Sequence, residues 1–313
     1  MNTLLPLSWR RLTCVTAGAL SLAALPVVSA RSQAADKTIF VGVVDPAGKP
    51  VGDLTLADFA VREDNVNREV VSVKPATAPL YLYILADTTN QAGNTGMMGR
   101  ESASGGTELI RDIRGSLTEF ARKMYAANSN TFMGVMEFGQ AAVPVMKFTD
   151  KLVDVEKGIA RLFPKPNAAS VLLEALTDAA RALAKVPSPR RAVVSINIEP
   201  GDEQSREDPN RIMQALWDSG ATLWAVSLQK GELRNPARDI VLNRLTQATG
   251  GRREFLIGPS AIENMLKTFG DALLSHYEVT YKRPASSAAV KQVDVGMVRR
   301  PGLRLHASHF APK

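Results

Sequence analysis

The sequence has 313 residues, of which 45% are hydrophobic and 22% are charged, and its formal net charge is +7. This composition is that of a globular protein, which excludes a disordered, collagen-like or coiled-coil chain. Because Cys14 is the only cysteine in the sequence, a disulfide framework and a cysteine-based zinc site are excluded as well. The three histidines, His276, His306 and His309, all lie near the C-terminus, so the first 275 residues contain no catalytic histidine.

Residues 1–30 show the three-part pattern of a secretory signal peptide. Two arginines precede an apolar stretch over residues 12–28, and Ala30 follows at a position that a signal peptidase accepts. The stretch is a little short to span a bilayer and contains Pro26, so cleavage is favoured over a retained anchor. We predict cleavage after Ala30 or after Ala34, no membrane span in the mature chain, and a secreted or periplasmic location.

The strand and turn pattern of residues 36–78 predicts a small β module. A strand over 39–44 is followed by Asp45-Pro46-Ala47-Gly48, which fits a type I or type II turn. The spacing of further turn residues is typical of a small antiparallel sheet. The chain returns to extended segments after the central region, and residues 276–313 form a C-terminal β extension in this prediction.

Residues 80–275 alternate between strands and helices, which predicts an α/β domain with a doubly wound, mostly parallel sheet. Residues 80–86 are a continuous apolar run, as expected of a strand that is buried on both faces. We predict that this strand lies centrally and parallel to those at 192–198 and 221–228. A hairpin over 132–148 should lie toward one edge, because a tight turn makes its strands antiparallel. The predicted helices cover residues 107–125, 151–163, 169–184, 209–219, 236–249 and 260–275, and residues 92–106 are predicted to form a loop.

Polar residues follow the strand at 80–86, at the edge of the sheet where ligands bind in doubly wound folds. The strand ends in Ala86-Asp87-Thr88-Thr89-Asn90-Gln91. This run resembles the von Willebrand factor A (VWA) domain family, whose metal-ion-dependent adhesion site begins with Asp-x-Ser-x-Ser at this point. In that comparison Asp87 stands at the family's aspartate, Thr89 keeps the first hydroxyl, and Gln91 replaces the second serine.

Two later segments extend the resemblance to the adhesion site. Asn167-Ala168-Ala169-Ser170 takes the place of the family's Gly-Gly-Thr loop, with Ser170 as its hydroxyl. Glu199 or Asp202 stands near the family's Asp-Gly, after the fourth strand. The resemblance implies a hard cation held by oxygen atoms from three loops. Since the motif is altered, we expect a degenerate site with no cofactor, for which Mg²⁺ is the one candidate ion. Its metal ligands would be Asp87, Thr89 and Ser170.

The flanking segments resemble one branch of the same family, the exported bacterial proteins described from Acidobacteria. Val44-Asp45 and Asp58-Phe59 in the first module match its leader, and Tyr277 with Arg300-Pro301-Gly302 matches its tail. The resemblance covers nearly all of the mature chain, and it implies a protein-binding module whose partner is unidentified. Basic pairs in the sequence are scattered and are not interleaved with aromatic residues, so we expect no nucleic-acid partner.

An enzyme is the alternative, and it would be a hydrolase that uses Asp87 with Glu199 or Asp202. The usual hydrolase and dinucleotide motifs are missing: the sequence has no Gly-x-Ser-x-Gly, and no Asp-x-Asp or Gly-x-Gly-x-x-Gly follows the first strand of the sheet. We therefore expect no enzymatic activity. The two classes differ in whether these carboxylates converge around a closed pocket or lie on an open edge.

Overall fold

The computed structural model describes residues 35–90, 102–166, 168–199, 203–229, 236–285 and 289–312. The predicted signal peptide and its cleavage sites, most of the loop predicted over 92–106, and the residues Gln91, Asn167 and Asp202 lie outside the described residues.

The strands, in chain order, are β1 (Ala35–Val44), β2 (Phe59–Glu63), β3 (Val66–Arg68), β4 (Val70–Pro75), β5 (Leu80–Ala86), β6 (Thr89–Asn90), β7 (Thr131–Glu137), β8 (Val143–Thr149), β9 (Lys165–Pro166), β10 (Arg191–Glu199), β11 (Thr222–Gln229), β12 (Arg252–Leu256), β13 (Tyr277–Arg283), β14 (Val293–Met297) and β15 (Arg304–Ala307). The α-helices are α1 (Ser102–Ala127), α2 (Leu152–Ala160), α3 (Leu172–Ala184), α4 (Pro209–Ser219), α5 (Pro236–Thr249) and α6 (Ile262–Leu274).

The central sheet has the strand order β12-β11-β10-β5-β7-β8. The first five strands in this order run parallel to one another, and β8 pairs antiparallel with β7 at one edge. The prediction of a central strand at 80–86, parallel to two later strands and with a hairpin at the edge, is confirmed. Because β5 and β10 are covered on both faces, nearly all of their residues are buried, which explains their continuous apolar sequences.

Helices cover both faces of this sheet. The core on one face contains apolar side chains of α1, α2 and α6, and the core on the other face contains those of α3, α4 and α5. Along β5, Leu82 and Ile84 contribute to the first core, while Tyr83 and Leu85 contribute to the second. The predicted fold class, an α/β protein with a doubly wound and mostly parallel sheet, is therefore observed.

Local sequence signals set the ends of α4. The side chain of Asp208 accepts a hydrogen bond of 2.9 Å from the backbone N–H of Asn210, and Pro209 occupies the first helical position. The helix stops at Gly220, whose φ of 64° lies in the left-handed region that glycine tolerates. These signals turn the chain at both ends of α4. The loop before α4 follows β10 and lies at the carboxyl edge of the central sheet.

The two flanking segments pair with each other in two further sheets. Strand β1 lies between β13 and β15, and β4 pairs with the other side of β13. In the second sheet, β2 lies between β14 and β3. Apolar side chains from residues 36–78 and 276–313 share one core, which includes Val41, Val61 and Val279. The sequence analysis predicted strands in both segments but not that they pair with each other.

In the described ranges, no helix combines the length and the apolar character needed to cross a membrane.

Candidate functional site

The loops at the carboxyl edge of the central sheet are joined by backbone hydrogen bonds. Ser170 forms β-bridges with Gly139 on one side and Glu203 on the other. The backbone N–H of Gln204 donates to the carbonyl of Ser170 at 2.9 Å, which fixes the loop after β10 against the loop before α3. Because Ser170 takes part in these bridges, α3 begins at Leu172, after the start predicted from the sequence. The side chain of Ser170 is buried at the centre of this edge.

Close packing between two of these loops requires glycine at position 139. A Cβ atom there would lie 2.7 Å from Thr88 Oγ1 and about 3 Å from the backbone of Thr88 and Thr89. Real Cβ atoms do not approach other atoms so closely, so a larger residue would push the loop after β7 away from the end of β5. Gly139 therefore contributes to the position of Asp87 and its neighbours.

Asp87 is fully buried directly after β5, and both of its carboxylate oxygens accept hydrogen bonds. Oδ1 accepts from the backbone N–H of Thr89 at 3.0 Å and from the Thr89 hydroxyl at 2.6 Å. Oδ2 accepts from the backbone N–H of Ile198 in β10 at 3.1 Å. Thr89 thus donates its hydroxyl proton to Asp87, and the carboxylate ties the end of β5 to the neighbouring strand.

The guanidinium of Arg238, in the first turn of α5, reaches the same carboxylate. Its Nη2 lies 3.2 Å from Asp87 Oδ2 and 3.1 Å from Ser170 Oγ. Its Nη1 donates to the backbone carbonyl of Ile198 at 3.1 Å. The Arg238 side chain has no exposed surface. A single buried cation therefore contacts the loop after β5, the loop before α3 and the end of β10.

Two glutamates complete the surroundings of Arg238. Glu199 Oε2 lies 3.6 Å from Nη1, and Glu203 Oε2 lies 3.1 Å from Nε. Both side chains are almost completely buried, at 0% and 4% exposure. Burial raises the pKa of Glu203, and the positive charge of Arg238 opposes that rise. With Asp87, these residues place three acidic side chains around one guanidinium.

A second buried arginine extends the network. Arg253 on β12 lies 3.4 Å from Glu199 Oε1 and 2.7 Å from Asp239 Oδ1 through Nη2. The same nitrogen donates to Ser227 Oγ at 2.9 Å. Burial lowers the pKa of Arg253, and its acidic neighbours oppose that effect. Glu199 therefore connects the two arginines, and the network crosses the carboxyl edge from β5 to β12. We call Asp87, Ser170, Glu199, Glu203 and Arg238 the Arg238 cluster.

The structure brings together the predicted site residues Asp87, Thr89 and Ser170. The sequence analysis missed Arg238, which contacts two of the three. One signal for it was present: Arg238 stands in the first turn of a predicted helix, where the helix dipole disfavours a positive charge. An arginine at that position indicates acidic partners nearby. Glu203 and Arg253 were missed as well, and no local pattern distinguishes them.

With Arg238 in place, these residues do not fit a divalent cation. Magnesium and calcium need several oxygen ligands at about 2.0–2.6 Å with free lone pairs. Here one guanidinium nitrogen lies next to both Asp87 and Ser170, and the hydroxyl of Thr89 donates to Asp87. Among the residues that the structure describes, no group of three or more His, Cys, Asp and Glu side chains is arranged to hold a metal ion.

Large apolar side chains are exposed around this edge. Ile240 lies one turn into α5, and Phe255 and Ile257 lie at the end of β12; their exposures are 69%, 37% and 95%. The guanidinium of Arg253 stands 4.4 Å from the ring centroid of Phe255, so the buried network supports this part of the surface. Phe163, with 56% exposure, precedes the segment that pairs with Thr89. We call Phe163, Ile240, Phe255 and Ile257 the edge apolar residues.

The carboxylates named in the hydrolase alternative are not exposed to solvent. Asp87 and Glu199 have 0% and 1% exposure, and both contact Arg238. They converge on a cation and do not line an open pocket. Asp202 lies outside the described residues.

The sequence matches no protein-family model and no curated protein. Solved structures similar to the chain include proximal thread matrix protein 1 from the mussel byssus, with 12% identity and a TM-score of 0.51 over 68% of this chain and 51% of that chain. They also include a von Willebrand factor type A protein from Catenulispora acidiphila, with 11% identity and a TM-score of 0.46 over 90% and 75% of the two chains. The VWA domain of SpRpn10 has 11% identity and a TM-score of 0.42 over 60% and 93%.

The chain thus spans about half the length of the mussel protein. At this identity, the likeness to the mussel protein shows a similar fold and nothing about activity. VWA domains are among the solved structures that resemble the chain, at low identity.

Proposed function

We propose that the chain is an exported module of the VWA type that binds another protein through the carboxyl edge of its central sheet. The observation that carries this proposal is the exposure of the edge apolar residues, above all Ile257 at 95%. Large apolar side chains that are exposed at one edge of a protein are typical of protein-binding surfaces. The partner is proposed to be a protein, not a nucleic acid.

We further propose that the adhesion site is degenerate and that binding does not use a bridging metal ion. Asp87, Thr89 and Ser170 keep a carboxylate and two hydroxyls, but their contacts are made within the chain. A partner protein would then bind through apolar contacts and a complementary shape at this edge, since the charged groups beneath it are buried. The resemblance to the exported bacterial branch is part of the same proposal.

We also propose that the edge has no enzymatic activity. A general acid or nucleophile must reach the substrate, and Asp87 and Glu199 are both buried against Arg238. No observation favours the hydrolase.

The binding proposal is tested by cross-linking followed by measurement of affinity. A photo-activatable residue placed at Ile257 of the mature chain should capture a protein from the source cells' extracellular fraction. The same residue at Val153, which is 54% exposed on α2, should not capture it. With the captured partner purified, Ile240→Asp and Ile257→Asp should each weaken binding about tenfold or more, because a charge replaces a buried apolar contact.

Val153→Asp is the matched control, and it should leave the affinity unchanged. Equal loss in the control, or no loss in both edge variants, would contradict binding at this edge.

Export is tested separately, by N-terminal sequencing of the protein from the extracellular or periplasmic fraction. The mature chain should begin at Arg31 or Ala35, because the apolar stretch ends in a segment suited to signal peptidase. Recovery of membrane-bound protein that still begins with Met1 would show that the segment is retained as an anchor.

A further inference from the structure

A cavity of about 420 Å³ lies at the amino edge of the central sheet, at the end away from the Arg238 cluster. Its lining includes Leu80, Arg191 and Thr222, which are the first residues of β5, β10 and β11. The other walls come from β1, the end of α4 and the residues that follow β15. Cavities of this size hold small organic molecules, and such sites commonly form where separate structural units meet.

Arg190 brings a buried positive charge to this cavity. It is 2% exposed, and among the described residues its terminal nitrogens donate only to backbone carbonyls, at 2.5–3.4 Å. Its Nε has no hydrogen-bond partner in the same part of the chain. Burial lowers the pKa of Arg190 to about 10, and the charge of Glu278 opposes that fall, so the guanidinium stays positive at neutral pH. A buried charge that only neutral groups contact is stabilised when an anion reaches it.

His276 lines the same cavity and is buried as well. Neither of its ring nitrogens has a hydrogen-bond partner among the described residues. A neutral imidazole carries one N–H donor and one acceptor, and leaving both unpaired in the interior costs free energy. Burial first, and then the charge of Arg190, lower the pKa of His276, so the two side chains lie within electrostatic reach of each other. The cavity therefore holds two unpartnered donor groups.

The distribution of the remaining charges favours an anion inside the cavity. The acidic residues of the lining, Asp36 and Asp218, are exposed to solvent. Arg190 is buried, and Arg191 is half-buried beside it. The interior of the cavity is therefore positive, and the negative charges lie where water screens them.

A second part of the lining is aromatic and apolar. The indole of Trp217 and the ring of Phe310 stack with their centroids 5.6 Å apart and an interplanar angle of 14°. Trp217 Nε1 donates to the carbonyl of Ala311 at 3.3 Å, which fixes the pair in place. The buried side chains of Ile39 and Leu80 belong to the same lining. Flat and branched apolar groups of this kind pack well against an aromatic ring.

We propose that this cavity binds a small organic acid with an aromatic body. Its carboxylate accepts hydrogen bonds from Arg190 Nε and from the imidazole N–H of His276. Its ring packs against Trp217 and Phe310. This site is separate from the carboxyl edge, and the inference does not depend on whether that edge binds a protein.

The first experiment titrates the mature chain with 3-phenylpropionate and with the uncharged 3-phenylpropionamide, by calorimetry at neutral pH. The acid should bind with one site per chain and a Kd of about 1 mM or tighter, which a ligand of this size can reach. The amide should bind about tenfold more weakly or less, because it brings no negative charge to Arg190. Octanoate separates an aromatic acid from a fatty acid, and it should bind more weakly than 3-phenylpropionate.

The second experiment observes the histidine ring nitrogens in long-range ¹H–¹⁵N spectra during the same titration. The ring nitrogens of His276 should shift as the acid binds, because one of them donates to the carboxylate. Those of His309, which is exposed and pairs with Asp294, should not shift.

Two variants test the lining residues. His276→Leu should weaken binding of the acid about tenfold, yet its melting temperature should not fall, because an apolar side chain replaces an unpartnered polar ring. Phe310→Ala should weaken binding as well, because half of the stacked pair is lost. Phe132→Ala is the matched control: it removes one ring of the stacked Tyr81–Phe132 pair, which does not line the cavity, and it should leave the affinity unchanged.

Three results would overturn the proposal. One is the absence of saturable binding of 3-phenylpropionate up to 10 mM, roughly ten times the expected Kd. Another is equal affinity for the acid and the amide. The third is binding that both His276→Leu and Phe310→Ala leave unchanged. If His276→Leu does not fold, the amide and Phe310→Ala still decide the question.

Discussion

His276 is buried, and among the residues that the structure describes neither of its ring nitrogens has a hydrogen-bond partner. Its exposure is 4%, and a Cβ atom on Gly42 would lie 3.1 Å from its ring. Burial, reinforced by the nearby charges of Arg190 and His306, lowers the pKa of His276 from 6.5 to about 3. The imidazole is therefore neutral in the folded protein throughout the range in which an unfolded chain takes up its proton.

We predict that this histidine makes the protein less stable as the pH falls below about 6.5. Between pH 6.5 and 3 the unfolded chain binds a proton at residue 276 and the folded protein does not, so the free energy of unfolding decreases with falling pH. The slope approaches about 1.4 kcal/mol per pH unit for this group. Urea unfolding at several pH values should show that His276→Asn reduces the slope in this range.

His309→Asn is the control for that measurement, because the His309 side chain is 53% exposed and pairs with Asp294 at the surface. It should leave most of the slope in place, because the slope is attributed to the buried imidazole of His276. Burial also lowers the pKa of His306, so His306 accounts for any slope that persists in the His276 variant. An unaltered slope in His276→Asn would show that the imidazole is protonated or hydrated in the folded state.

The site residues differ in how far the sequence could predict them. Asp87, Thr89 and Ser170 follow a spacing that relates each to the end of a strand or the head of a helix, so a motif found them. Arg238 lies in α5, more than a hundred residues after Asp87, and only the folded chain brings the two side chains together. A motif defined by short spacings cannot contain such a residue, although its unfavourable place at a helix start was visible.

At the scale of elements, periodicity and apolar runs predicted the central sheet well. The continuous apolar sequence of β5 and the turn between β7 and β8 fixed a central strand and an antiparallel edge, because both are local properties of the chain. Helix boundaries were predicted less accurately where a loop residue also pairs with other segments of the chain. Residues before Leu172 look helical in the sequence, but Ser170 pairs with Gly139 and Glu203 across the edge.

Strand pairing between the two ends of the chain could not be predicted in the same way. The register of β1 with β13 joins Ile39 to Val279, more than two hundred residues apart. Each strand alone shows only a short alternating pattern, which many partners would satisfy. The pairing is decided by apolar side chains of both segments that share one core, a property of the whole molecule.

At the scale of the whole molecule, Glu63 links the two sheets built from the chain ends. Its carboxylate on β2 is fully buried and accepts hydrogen bonds from Tyr281 at 2.5 Å, from Arg283 at 2.7 Å and from Arg68 at 2.9 Å. Burial alone would raise its pKa, but the hydrogen bonds from Arg283, Tyr281 and Arg68 outweigh burial and lower it. Two of these three donors lie in β13. The N-terminal segment therefore depends on the C-terminal segment to stabilise its buried carboxylate, and the two segments also share one core.

We predict that neither flanking segment folds without the other. A chain that ends at Ser275 lacks β13, β14 and β15, which leaves β1, β2 and β4 without those partners and Glu63 buried without Tyr281 and Arg283. Breaking a buried ion pair in this way costs about 3–5 kcal/mol. Hydrogen exchange and limited proteolysis should show that residues 35–75 lose protection, while β5 and β10 keep theirs because their partners lie within the central sheet.

The reciprocal truncation separates this mutual dependence from a general loss of stability. A chain that begins at Pro79 lacks β1 and β4, so β13 becomes unpaired on both sides, and residues 276–312 should lose protection in turn. In both truncated chains the newly exposed strands offer unpaired backbone groups, which should make the proteins aggregate more readily than the full chain. Protection of residues 35–75 in the chain that ends at Ser275 would show instead that the N-terminal segment is an independent module.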